Sequence, residues 1–294
     1  MAVKIIVAGI PSCAGGLHPG TELAPDALRK TNLLPSLLKM DCTVVDRGNL
    51  LQGKMLARHN IPPVRNWPAP REVWDEIVET KETIFEKDAF SVILGGDCSI
   101  VVGAFTAFQQ MFGENTYLIV VDGHLDTVAP QANRCIGAAG MGLWFLTQDT
   151  HVWWTGNRIP AGRIKAIGTH TPGEQLGIEH IPYEKFHTEE GIEELSRILV
   201  SIPEDAGILV HFDVDVLHES IMPAAYSPSS TGLDFKTASV LFSVLLRDTR
   251  VKGIEITEFA AGMEGAAKSA ETIADLLIKG LNARKTISAS GEYV

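Results

Sequence analysis

Residues 3–10 read VKIIVAGI, an apolar, β-branched run with no polar break. Such runs belong to strands buried on both faces of a sheet. The pattern returns at 42–46 (CTVVD), 90–94 (FSVIL), 116–121 (TYLIVV), 164–168 (IKAIG), near 178–182, at 207–213 (GILVHFD) and at 251–256 (VKGIEI). Between these runs the spacing turns helical. A helix is predicted over 24–30, with Pro25 in its first turn, and another over 71–87, where Val73, Ile77, Ile84 and Phe85 share a face. Further helices are predicted over 99–112, 235–247 and 266–282, and one starting near Gly140. Residues 47–70, with Pro62, Pro63, Pro68 and Pro70, and residues 127–143 read as long loops of the kind that carries function. Strands alternating with helices predict an α/β fold with a parallel sheet covered on both faces. No linker, repeat or low-complexity stretch divides residues 1–294, so one domain is expected.

Composition narrows the classes. A chain of 294 residues, 45% hydrophobic and 21% charged, is ordinary for a globular protein with a sizeable core. A net charge of −11 argues against nucleic acid as partner, because phosphate binding rests on clustered Lys and Arg. Cys13, Cys42, Cys98 and Cys135 form no CxxC pair and read as reduced thiols of a cytoplasmic protein. The N-terminal apolar run is short and stopped by Pro11, which suits a strand better than a signal peptide. No apolar run approaches the roughly 18 residues of a membrane span.

Polar residues gather where the strands end: Asp97 and Cys98 after the third, Asp122, His124 and Asp126 after the fourth, Asp213 and Asp215 after the seventh, and Glu255 at the end of the eighth. Open parallel sheets bind ligands at that edge. Positions 122, 124 and 126 alternate and so leave a strand end on one side. Buried carboxylates are expensive unless paired or bound to a cation. Asp122, Asp126, Asp213 and Asp215, with His124 and Cys98 as softer donors, suit two divalent cations, and carboxylate-rich sites favour Mn²⁺ over Zn²⁺. Two such ions can hold a hydroxide between them.

Other residues receive simpler readings. A Cys98 nucleophile with His124 or His211 as base leaves four acids unexplained. His211 is expected to point away from the ions. Glu258 reads either as an acid behind the ligands or as a surface residue. His151 and His170 are candidate proton shuttles, with surface histidine as the default. The GAAGMG run at 137–142 follows no strand and reads as a structural loop. Trp153 and Trp154 read as core or interface residues.

The segments GGDCS at 95–99, DGHLD at 122–126, FDVDVL at 212–217 and GIEITEF at 253–259 resemble the signature segments of the arginase/agmatinase (ureohydrolase) family. PDALR at 25–29 and Pro228 with Gly232-Leu233 support the likeness, which runs over nearly the whole chain in order. The resemblance implies a three-layer α/β/α fold, two Mn²⁺ ions, trimers or hexamers, and hydrolysis of a linear C–N bond in a small guanidine, hydroxyguanidine or amidine. It implies Asp122 and Asp213 as bridging carboxylates, Asp126 on the first ion, and His124 and Asp215 on the second. Cys98 stands where the family usually places a histidine on the first ion. Asp126 and Glu255 are the implied catalytic acids, with Glu255 receiving the guanidinium and Glu174 retained from an acidic substrate-binding segment.

Three departures stand out. Cys98 replaces that histidine, as in a divergent branch resembling the N-hydroxyarginine hydrolase of D-cycloserine biosynthesis. The loop 127–143 contains no histidine, and the segment 168–174 is short. Arginine is therefore disfavoured as substrate. The alternative reading is a catalytically degenerate relative serving as a ligand-binding or assembly subunit.

Overall fold

The computed structural model describes residues 3–40, 42–149, 153–154, 156 and 158–290, with the backbone alone for 285–290. Eight strands form one sheet among the described residues: β1 (Val3–Gly9), β2 (Cys42–Asn49), β3 (Ala89–Leu94), β4 (Thr116–Val121), β5 (Ile164–Thr169), β6 (Glu179–Pro182), β7 (Gly207–Asp213) and β8 (Val251–Thr257). Every pairing between them is parallel. The helices are α1 (Ala24–Arg29), α2 (Leu33–Lys39), α3 (Ala69–Glu79), α4 (Lys81–Ile84), α5 (Ile100–Phe112), α6 (Gly142–Thr147), α7 (Glu190–Ser201), α8 (Phe235–Arg247) and α9 (Ala266–Ser290).

Strand alternation sorts the core into two layers. Ile119, Val121, Ile208, Val210, Phe212, Ile254 and Ile256 face a cluster built with α1, α2, α7, α8 and α9. Leu118, Val120, Ile164, Ala166 and Leu209 face the opposite cluster, built with α3, α4, α5 and α6. This is the three-layer α/β/α arrangement expected.

The strand order is β2-β1-β3-β8-β7-β4-β5-β6. After β3 the chain skips two places to β4, runs out to the edge at β6, and returns to fill the gap with β7 and β8. The four central strands are therefore those whose ends carry the acids. The skipped gap is the point where an open sheet forms its crevice.

Several boundaries differ from the sequence reading. The 71–87 helix starts at Ala69, with Pro70 in its first turn, and breaks at Thr80 into α3 and α4. The last helix continues to Ser290. Two helices, α2 and α7, lie in stretches that the apolar runs left unassigned. Trp154 is buried and packs edge-on against Trp74, while Trp153 meets Trp67, so both belong to the core.

The link from β3 to α5 runs at closest approach to its neighbours. A Cβ on Gly96 would lie 2.1 Å from the Ser12 carbonyl oxygen and 2.6 Å from its nitrogen. Backbone cannot yield as a side chain can. Gly96→Ala is expected to destabilise the fold by about 2–4 kcal/mol, at the severe end for single substitutions. Urea unfolding checks this; an unchanged midpoint contradicts it.

Candidate metal centre

The β3–α5 link is held by Asp97. This fully buried carboxylate accepts hydrogen bonds from Ser12 Oγ (3.0 Å), the Gly15 amide (3.1 Å), the Ser99 amide (3.1 Å) and Ser99 Oγ (2.5 Å). With its oxygens satisfied, Asp97 is a clamp. It fixes Cys98, the next residue, against the ends of β7 and β8.

Five of the six expected ligands meet one another there. Asp122 Oδ1 accepts the His124 amide at 2.7 Å, and its Oδ2 is buried with no donor among the described residues. His124 Nδ1 lies 3.0 Å from Asp215 Oδ2 and 3.6 Å from Asp122 Oδ1. Asp213 Oδ1 accepts the Asp215 amide at 2.8 Å, starting the short 3₁₀ turn that places Asp215. The Cys98 thiol donates to Asp213 Oδ2 at 2.7 Å. The sixth, Asp126, anchors the following loop through its carbonyl, which accepts the Leu143 amide at 3.0 Å. Asp126 shares a cavity with Cys98, His124 and Asp213.

Among the described residues, two sets of donor atoms are close enough to hold an ion: Cys98, Asp122 and His211, and Asp122, His124 and Asp215, each within 4.8 Å. Asp122 belongs to both. An orphaned buried carboxylate oxygen and a donor set rich in carboxylates fit divalent cations.

The cavity, of about 330 Å³, is also lined by residues 15–17, by Arg134, Cys135, Ile136, Gly137, Ala139 and Gly140 of the loop after Asp126, by Tyr226 and Ser227, and by Glu258. The glycine-rich run read as structural thus forms part of its wall. Asp126 (φ +48°) and Glu258 (φ +60°) both hold the left-handed backbone conformation. This is uncommon for residues with a Cβ and recurs at functional sites.

Three expectations need correcting. Glu255 is fully buried and does not line the cavity; its Oε1 lies 2.7 Å from His211 Nδ1. The glutamate on the cavity lining, among the described residues, is Glu258, three residues on. It turns inward after β8 ends, and its Oε1 accepts the Cys98 amide at 2.6 Å. His211 does not point away. It lies two residues before Asp213 on a strand, so it shares that face, with Nε2 3.4 Å from Cys98 Sγ. Glu174 is exposed and outside the cavity lining. His170 sits beside His124, ring centroids 5.9 Å apart, but is also outside the lining. His151 lies outside the described residues.

Crowding of acids sets the electrostatics. Burial, then the charges of Asp215 and Asp122, push the Asp213 carboxyl well above the usual carboxylate range. Burial followed by Asp122 does the same to Asp126, and burial followed by Asp97 to Glu258. Burial, then Asp213, raises the Cys98 thiol. Hydrogen bonds to Asp122 and Asp215 push His124 up to about 11.

These directions predict a pH dependence for the ion-free chain. Carboxyls raised above their unfolded value of about 4 make folding take up protons. Their contribution is complete below about pH 4 and is lost as pH rises through the raised values. The His124 contribution persists through neutrality and is lost only toward about 11. In chelator, the melting temperature is expected to fall between pH 5 and 8. Excess Mn²⁺ should reverse the trend, because ions compete with protons for the same atoms. Calorimetry checks this; a chelated chain that grows more stable over that interval contradicts it.

A family-wide sequence profile, that of the Arginase family, matches residues 3–281. The chain belongs to the arginase family. It is similar to arginase-1 of Bos taurus, 27% identical over 277 residues that cover 87% of this chain and 84% of that protein. Among solved structures, the Entamoeba histolytica arginase bound to L-ornithine superposes with a TM-score of 0.81 at 19% identity, covering 97% of this chain and 99% of that one. The Trypanosoma cruzi formiminoglutamase solved with Mn²⁺ gives 0.76 at 17%, covering 96% and 93%. These likenesses establish the arginase fold. Among the described residues, no helix of this arginase-family chain is long and apolar enough to cross a membrane.

Proposed function

We propose that this arginase-family chain is a two-ion hydrolase that cleaves a linear C–N bond in a small guanidine, hydroxyguanidine or related amidine. The observation that carries the reading is one cavity onto which His124, Asp126 and Asp213 converge from one side and Glu258 from the next strand end. Asp122, His124, Asp126, Asp213 and Asp215, with Cys98, would hold two divalent ions, Mn²⁺ by the carboxylate count. Bound there, the ions would supply an acidified water as the nucleophile.

The chain's own groups do the rest. Glu258 keeps one oxygen on the Cys98 amide and has no hydrogen bond at the other among the described residues, so that oxygen is free to accept N–H groups of an amidinium. Asp126 faces the cavity, where it can take the proton that the nucleophile loses and pass it to the leaving nitrogen. Among the described residues, Arg134 is the one Lys or Arg on the lining, and it offers a partner to an acidic group on the substrate. A catalytically degenerate subunit has less support, because five of the six expected ligands meet one another and the sixth, Asp126, shares their cavity.

The test is product release from the Mn²⁺-loaded chain with arginine, N-hydroxyarginine, agmatine, guanidinobutyrate and formiminoglutamate. Hydrolysis of at least one, abolished by chelator, is the expected result. A chain carrying two ions and inert toward all five overturns the proposal.

A further inference from the structure

Behind the cavity lies a buried group that the proposed reaction does not use. Glu255 Oε1 is 2.7 Å from His211 Nδ1, and His211 Nε2 is 3.4 Å from Cys98 Sγ. The sheet register sets Glu255 directly beside His211 on the adjacent strand. An ionised carboxylate only accepts hydrogen bonds, so Nδ1 carries the proton and Nε2 presents a lone pair.

Among the described residues, that lone pair has no strong donor. The Cys98 thiol is directed to Asp213 Oδ2 at 2.7 Å. The Thr257 hydroxyl lies 3.5 Å away and also reaches the Phe212 carbonyl at 3.3 Å. A buried carboxylate–imidazole pair is a poor stabiliser compared with apolar packing. An imidazole held at its far nitrogen by a carboxylate is, however, how metal-binding histidines are oriented. The second sign of a ligand is Asp122 Oδ2, buried and unpartnered. Nε2, Cys98 Sγ and a carboxylate oxygen of Asp122 lie within 4.8 Å of one another. Donors about 2.0–2.3 Å from a common tetrahedral ion lie roughly 3.3–3.8 Å apart, and Sγ and Nε2 already stand 3.4 Å apart.

We infer that His211, oriented by Glu255, joins Cys98 as a ligand of the first ion, giving that position a nitrogen–sulfur donor pair and a preference for a softer divalent cation than its neighbour takes. The loss of a histidine at position 98 is thereby made good from β7. The second position, with His124 and the carboxylates of Asp122 and Asp215, remains the harder one. Softer donors select Co²⁺, Zn²⁺ or Fe²⁺ over Mn²⁺, so the centre takes two different metals. Coordination of Cys98 releases its thiol proton to solvent. This inference rests on the two-ion reading above.

The test uses the full chain stripped of ions and titrated with Co²⁺ and with Mn²⁺, following metal content and optical absorption. Expected are two ions per chain, a thiolate-to-cobalt charge-transfer band on the first, and a Co²⁺-over-Mn²⁺ preference at least about tenfold greater at the first position than at the second. His211→Gln and Glu255→Gln should each weaken the first ion by about 10–100-fold and leave the second in place. Cys98→Ser should remove the band. Proton NMR of the Co²⁺-loaded wild-type chain avoids dependence on variant folding: paramagnetically shifted imidazole signals from two histidines are expected. Two bound ions with no sulfur band, one shifted histidine and His211→Gln without effect overturn this inference and leave the two-ion reading standing. Failure to bind any ion overturns both.

Discussion

Asp213→Asn is expected to lower kcat/KM by about 10³ or more and reduce the bound ions to one or none per chain. Metal catalysis supplies several kcal/mol of transition-state stabilisation, and about 1.4 kcal/mol is a factor of ten. Asp213 accepts the Asp215 amide at one oxygen and the Cys98 thiol at the other, so it ties both parts of the centre together. Asparagine keeps the shape and one acceptor but loses the charge. Its effect on stability should run the other way. Burial and the charges of Asp215 and Asp122 already disfavour an ionised Asp213 in the ion-free chain. In chelator at pH 7, Asp213→Asn should therefore melt above the wild type, as variants that relieve a strained functional site do. Calorimetry with metal analysis checks both halves; a variant that is less stable in chelator and keeps both ions contradicts them.

The second large effect separates the two glutamates of β8 and its end. Glu258→Gln is expected to lower kcat/KM for a cationic guanidine by about 10² while both ions stay bound. Truncating one partner of a buried charged pair costs about 2–5 kcal/mol, and Gln retains an acceptor for the Cys98 amide, which favours the lower half of that range. The loss should be smaller for a substrate that binds uncharged. At saturating metal, Glu255→Gln should leave the substrate KM nearly unchanged, because Glu255 bonds His211 and does not line the cavity. Steady-state kinetics with metal analysis decides between them. A substrate defect in Glu255→Gln with a silent Glu258→Gln reverses the assignment.

The strand ends were legible because each acid follows an apolar run that can only be a buried strand. Asp122, His124, Asp126, Asp213 and Asp215 were located that way, and the strand order then brought four separate ends into one crevice. Period-two reasoning also places His211 on the face of Asp213, against the expectation that it points away, because β7 stays regular through Asp213. Glu258 was harder. It lies beyond the end of β8, where the chain turns through a left-handed residue, and alternation carries no information past that turn. Glu255 sits within the strand and looked like the acid on offer, yet its register partner His211 occupies it. The helix α7 was missed although Leu195, Ile198 and Leu199 give it a buried stripe, because acidic residues interrupt the run. Wall residues such as Arg134 and Tyr226 come from loops far apart in sequence, and only the fold brings them together.

The central claim is that two divalent ions sit side by side at the ends of β3, β4, β7 and β8. Anomalous diffraction from crystals of the chain grown with Mn²⁺ tests it directly. The account predicts two peaks, one among Cys98, Asp122, Asp126, His211 and Asp213 and one among Asp122, His124, Asp213 and Asp215, with Glu258 facing both across the cavity. A single peak, or none, in crystals soaked at saturating metal contradicts it.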